Sequence, residues 1–162
     1  MPYQMKVDGM EEISETLSKL EERAPSVAAQ GLYEGAAVMA AEIRKGAESI
    51  RTAPFKYAGG GESRLPSPEE KEIVVSAGAG IAKFDKNGAE VNTSVGYRAS
   101  GYADLNGKKK PVPLIVNAIN SGTSFMQKQP FIRKAASGAA PKAMQAIKER
   151  IEQSFEAITK EN

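Results

Sequence analysis

The side chains that most often run chemistry near neutral pH are missing from this chain. It has no histidine and no cysteine. That removes the commonest general acid–base group, the commonest transition-metal ligand, thiolate nucleophiles and disulfides together. Three pairs of adjacent carboxylates remain: Glu11-Glu12, Glu21-Glu22 and Glu69-Glu70. Neighbouring positions on a helix do not face each other, so no pair forms an acid–base couple by itself, and solvated charge is the plainer reading. Gly59-Gly60-Gly61 could cradle a phosphate, but no strand leads into it, no helix pattern starts behind it and no Gly-Lys-Ser/Thr follows. Lys108-Lys109-Lys110 could bind phosphates with salt-dependent affinity. The competing reading is a solubilising loop tip beside Pro111, since no aromatics interleave as a single-strand-binding surface requires. The expectation is a chain with no catalytic residues, no cofactor and no metal, and so not an enzyme.

Gly31 and Gly35 stand out for a different reason. They lie one turn apart inside an otherwise good helical pattern, where each costs about 1 kcal/mol relative to Ala. The cost makes sense if another backbone approaches that face. The approaching partner is either the Ala-rich terminal segment (Ala135, Ala136, Ala139, Ala140, Ala143) or a neighbouring subunit.

The elements that must position these residues follow from periodicity. The 162 residues suit one domain, 41% hydrophobic and 26% charged, with a net charge of +2 that neither demands nor excludes nucleic acid. The first residues, MPYQMKVDGMEE, lack the apolar core of a signal peptide, and no run approaches a membrane span. A soluble chain made in the cytoplasm is expected. Residues 9–51 read as helical. Asp8 and Glu11 have capping-box spacing before a helix over about 9–23, and Pro25 opens a second over 26–51 carrying Ala28, Leu32, Ala36, Met39, Ile43, Ala47 and Ile50 on one face.

Residues 52–71 read as a flexible loop, with three glycines and Pro66 and Pro68. Over 72–97 the period falls to two, giving antiparallel strands with a turn at Asn87-Gly88. A four-residue turn is favoured there, because a two-residue one would set Asp85 against Glu90. Residues 98–111 read as a second loop. The apolar 112–120 fits a helix or a strand, within a 112–129 segment that ends in a Gly-Thr loop, and 130–160 reads as the terminal helix. The fold class is α+β: long N- and C-terminal helices packed on a small antiparallel sheet, with long loops.

One stretch, PLIVNAINSGTSFMQKQPFIRKA from Pro113, carries the most specific signal. Its order is an apolar segment closing on Gly122-Thr123, a polar loop containing Phe125, then Pro130-Phe131 opening a long helix. This resembles the tail-completion, or head–tail joining, proteins of long-tailed DNA phages. Earlier parts of the chain are similar in order: a glycine-led short helix at Val7-Asp8-Gly9-Met10, a long helix with Arg44, Lys45 and Arg51, and strands ending in Val95-Gly96. Two departures stand out. The family's Thr-Gly-x-Leu-Arg pattern has only Ser63-Arg64-Leu65 as a counterpart, and Asn120-Ser121 stands where a Glu commonly precedes Gly-Thr.

The resemblance implies a structural virion protein placed in the neck or tail, and in the host cytoplasm during assembly. It implies a homo-oligomeric ring, hexameric to match tail symmetry, between a head connector or head-closure protein and a tail terminator or tail-tube protein. DNA could pass in contact with it, and no membrane is involved. The expected contact residues are Gly31, Gly35, Arg64, Lys108, Lys109, Lys110, Gly122, Thr123, Phe125, Pro130 and Phe131. A second reading is a small nucleic-acid-binding or regulatory protein using Lys108–Lys110 with Lys83 and Lys86. A hydrolase comes third, since no nucleophile motif is present.

Overall fold

A computed structural model describes residues 10–54, 62–87, 90–98 and 100–161. The glycine triplet 59–61, the Asp8 cap and the glycine before the first helix lie outside the described residues. Two long helices dominate: α1, Met10–Glu48, and α4, Phe131–Lys160. They pack antiparallel, Gly46 facing Phe131 and Ala135, Gly35 facing Ile147, and Gly31 facing Ile151. Arg23 closes the register with an ion pair to Glu161 at 2.8 Å.

The break expected near Pro25 is absent, and α1 runs through it as one helix of 39 residues. Pro25 deprives the Glu21 carbonyl of its donor, but Glu21 is exposed, so water can replace the bond. From Val27 onward burial against α4 holds the helix together. Pro141 is carried inside α4 in the same way, with the residue four positions earlier, Ser137, exposed.

Between the long helices lie α2 (Pro68–Ala77), β1 (Gly80–Ile81), β2 (Asp85–Asn87), β3 (Glu90–Asn92), β4 (Val95–Gly96), β5 (Tyr102–Leu105), β6 (Lys108–Pro111) and α3 (Val112–Ser121). The fold is α+β as expected, but the strands form three separate two-stranded antiparallel ladders, β1–β4, β2–β3 and β5–β6. Three local expectations need correction. Ile73–Ala77, expected as strand, belongs to α2. Ser67 accepts from the Glu70 amide, the Glu70 carboxylate accepts from the Ser67 amide, and Pro68 opens the first turn. That complete capping box outweighs the β-branched run Ile73-Val74-Val75.

The second correction concerns the hairpin: pairing extends to Asn87 opposite Glu90, which sets Asp85 against Asn92 and not against Glu90. The repulsion that favoured a longer turn therefore never arises. Third, residues 98–111 contain a hairpin in place of a loop. Asn106 and Gly107 have φ of 53° and 73°, the left-handed pair that a tight primed turn requires, and it matches the twist of β5 and β6.

Residues 112–120, open between helix and strand, are helical. Val112, Ile115, Val116 and Ile119 recur at three- and four-residue steps and all are buried. With Ile43, Ala47, Ile50, Val74, Leu105, Met126 and Phe131 they form one core, at the end of the helical pair where the small elements gather.

Candidate assembly surface

The Gly-Thr segment is a strap across the end of the core. Gly122, with φ of 76°, turns the chain out of α3 in a conformation that side chains rarely adopt. The Thr123 hydroxyl then accepts from the amides of Phe125 and Met126 at 3.3 and 3.0 Å, and the Thr123 amide donates to the Met126 carbonyl at 3.0 Å. This small loop sends Met126 into the core, 2% exposed, and leaves Phe125 53% exposed. A large aromatic is thus held outward by a backbone with little freedom to withdraw it.

The strap is tied on both sides. The Arg64 amide donates to the Phe125 carbonyl at 2.9 Å, and the Gln127 amide donates to the Arg64 carbonyl at 2.8 Å. Gln129 reaches the end of α1, where its side chain accepts from the Arg51 amide at 2.9 Å and donates to the Arg51 carbonyl at 3.0 Å. Behind it, Asn120 supplies the cap that Pro130 lacks: its side-chain oxygen accepts from the Ile132 amide at 3.2 Å, in the first turn of α4. Asn120, one of the two residues standing where the resemblance led one to look for a glutamate, thus has a structural task of its own.

The Arg64 side chain points the other way, into a buried ion pair. Its two terminal nitrogens donate to the two Glu70 oxygens at 2.7 Å each, with side-chain exposures of 15% and 6%. Burial alone would push the Glu70 carboxyl up. The hydrogen bonds from Arg64 and from the Ser67 amide, with the charges of Arg64 and Lys110, outweigh it and hold Glu70 below the usual carboxylate range. The same bond to Glu70 raises Arg64, against desolvation. One bidentate pair therefore joins the cap of α2 to the strap.

The expected contact residues fall into three groups. Arg64, Gly122, Thr123, Phe125 and Pro130 are brought together around the strap, and Phe125 and Thr123 are its exposed members. Lys108, Lys109 and Lys110 are exposed on β6. Strand alternation puts Lys109 on one face, directly across from Asp104, and Lys108 and Lys110 on the other. Gly31, Gly35 and Phe131 belong to the interior. The glycines are covered by Ile151 and Ile147 of α4, so of the two partners considered for them it is the terminal helix that occupies the face. Phe131 is buried edge-on to Tyr97, with ring centres 6.3 Å apart.

The sequence reading put Ile13 and Leu17 on the apolar face of the first helix, yet both are exposed, as are Tyr102 on β5 and Leu114 on α3, which it passed over. Nothing in their spacing separates them from core residues, because the same periodicity serves both. It also passed over an open groove of about 910 Å³ between α2, β1, β4 and β5. Arg44 and Arg98 line it from one set of elements, Glu69, Glu72 and Asp104 from another, with Ile73, Ile81, Tyr102 and Val112 as apolar wall. Arg44 is fixed there by donating from Nε to the Ala79 carbonyl at 2.8 Å. Among the described residues no group of His, Cys, Asp or Glu is placed to hold a metal ion, and no helix is long and apolar enough to cross a membrane.

No protein-family model, no curated protein and no solved structure matches this chain.

Proposed function

We propose that this chain is a structural component of a tailed phage or prophage virion, joining head to tail as a homo-oligomeric ring. The ring would contact a head-connector or head-closure protein on one side and a tail-terminator or tail-tube protein on the other. The observation that carries the reading is the strap. It takes the very residues on which the resemblance rests, Gly122-Thr123 through Pro130-Phe131, and uses them to present Phe125 to solvent on a hydrogen-bonded frame. Rigid exposed aromatics suit docking, since little side-chain or loop freedom is lost on binding. Leu114, Tyr102 and the pair Ile13/Leu17 are exposed on other elements, which suits a part that must touch several neighbours at once.

The test is the mass of the purified chain by light scattering or native mass spectrometry, alone over a concentration series and mixed with neck and tail-tube proteins. Rings, or complexes with those proteins, are the expected result. A monomer inert to all of them overturns the reading. The nucleic-acid reading is less favoured by the split of Lys108–Lys110 over two faces and by Asp104 across from Lys109. Steep loss of DNA affinity with rising salt would restore it.

A further inference from the structure

The two ends of the helical pair differ in a way that suits head-to-tail contact. α4 reaches only as far as Arg23, which pairs with Glu161. Residues 10–22 of α1 therefore run on beyond it for about 20 Å at 1.5 Å per residue. No residue from Glu12 to Glu22 is buried. Ile13, Leu17 and Leu20 fall on one stripe at the spacing of a helix that lies in a groove, and Ile13 and Leu17 are 57% and 59% exposed. By helical spacing Glu12 and Glu21 border the stripe. The open groove lies at the opposite end of the molecule, beside Arg44 and Ala79. Position 17 is about 40 Å from position 44 along α1, so the overhang cannot reach the groove of its own chain.

We infer that the overhang of one copy docks in the groove of the next. This rests on the ring reading above and names the contact that would build it. Ile13 and Leu17 would enter against Ile73, Ile81, Tyr102 and Val112, and the flanking glutamates would turn toward Arg44 and Arg98. No carboxylate within 4.0 Å pairs with either arginine among the described residues. Glu69, Glu72 and Asp104 also line the groove, so a carboxylate-bearing helix is favoured only where its glutamates lie beside Arg44 and Arg98. Because the two surfaces are different and lie at opposite ends, the contact is heterologous, the kind that closes rings when the rotation allows. Its size fits a ring better than a pair. Half the side of a helix about 10 Å wide and 20 Å long is on the order of 300–400 Å², well under the roughly 800 Å² per partner of a stable pair. One contact is then weak, and closure, which gives each copy two, makes the assembly hold.

The native chain has no cysteine, so a thiol cross-link reports a single chosen contact. Leu17→Cys and Ser76→Cys, one on the overhang and one on the groove wall, are both exposed positions. Treated with a short bis-maleimide, the double variant should lose its monomer band into a ladder ending at the ring size. Each single variant should give no covalent ladder, and Leu17→Glu in a chain with no introduced thiol should abolish the oligomers seen by light scattering. Dimers from Leu17→Cys alone would mean that overhangs pair with each other, and would overturn the inference. Oligomers by mass with no ladder would overturn this contact while leaving the ring reading standing. A monomer by mass with neck proteins present, and no ladder, would sink both.

Discussion

Alanine at Gly35 and alanine at Gly138 should move stability in opposite directions. Both glycines lie inside long helices, and each alanine brings about 1 kcal/mol of helix propensity. At Gly138 a new Cβ meets nothing within 4 Å among the described residues, so Gly138→Ala should gain that whole amount. At Gly35 the methyl would sit 2.6 and 2.7 Å from Ile147 Cγ1 and Cδ1 and 3.2 Å from the Ala143 carbonyl. Ile147 can turn its far end aside, but the carbonyl is α4 backbone, locked into a long helix–helix seam. Overpacking of this kind costs about 1–3 kcal/mol. Taking the upper part of that range, Gly35→Ala should lose about 1–2 kcal/mol net, and the two variants should differ by about 2–3. For a chain of this size that is a spread in Tm of roughly 5–10 °C. Urea and thermal unfolding followed by circular dichroism, with an unchanged urea slope, measure it directly. Equal stabilisation by both alanines would refute the idea that the α1–α4 approach is what demands glycine.

Arg64→Met should cost about 3 kcal/mol, because it leaves Glu70 buried without its partner; the Arg64→Met/Glu70→Leu double variant should recover part of that in the same urea assay. Glu70 titrates below its unfolded value, so its share of stability is complete above about pH 4–5 and drains away as pH falls through the folded pKa. Glu70→Gln should flatten that acid limb. Tyr97 behaves in the opposite sense: burial, partly offset by Arg44, pushes its hydroxyl up to about 12. The unfolded phenol ionises near pH 10, so the folded state should lose stability as pH rises from about 10 toward 12. Among the described residues the buried hydroxyl has no hydrogen-bond partner, so Tyr97→Phe should be neutral or stabilising by up to about 1 kcal/mol and should remove that alkaline dependence. Phe125→Ala should leave the melting temperature within about 2 °C, as exposed positions do, while weakening any complex with a partner protein measured by light scattering.

Periodicity over long windows made the two terminal helices legible, and the change of period marked the sheet region between them. Short elements were decided by chemistry at their ends. Ser67-Pro68-Glu69-Glu70 states a helix start as plainly as any residues in the chain, and Asn106-Gly107 states a hairpin as clearly as Asn87-Gly88 does. Both lay inside stretches that composition had marked as loop, where glycine, proline and lysine drown a four-residue signal. Pro25 shows the converse. A local rule called for a break, and burial along a neighbouring helix overrode it. The strap residues were legible as a group, but what they do depends on Arg51, Arg64 and Asn120, which are distant in sequence from one or another of them. No spacing rule could have brought those together.

The internal use of Arg64 changes what the strap can do. A surface arginine would have been a contact; a buried one, clamped to Glu70, makes the strap and the cap of α2 a single piece. α2 in turn forms a wall of the groove. If a neighbour docks on Phe125, its pressure would be applied, through the Arg64 backbone and its ion pair, to the element that would receive another neighbour's helix. Such a link transmits a bias only if α2 has two arrangements of similar energy, and a buried ion pair that resists separation argues for one. The frame is then better suited to hold two contacts at a fixed spacing than to signal between them. That makes a concrete demand: occupancy of the strap by a partner protein should leave the yield of the Leu17→Cys/Ser76→Cys cross-link unchanged. A yield that rises or falls with partner concentration would show that α2 moves, and that the junction is a switch and not a spacer.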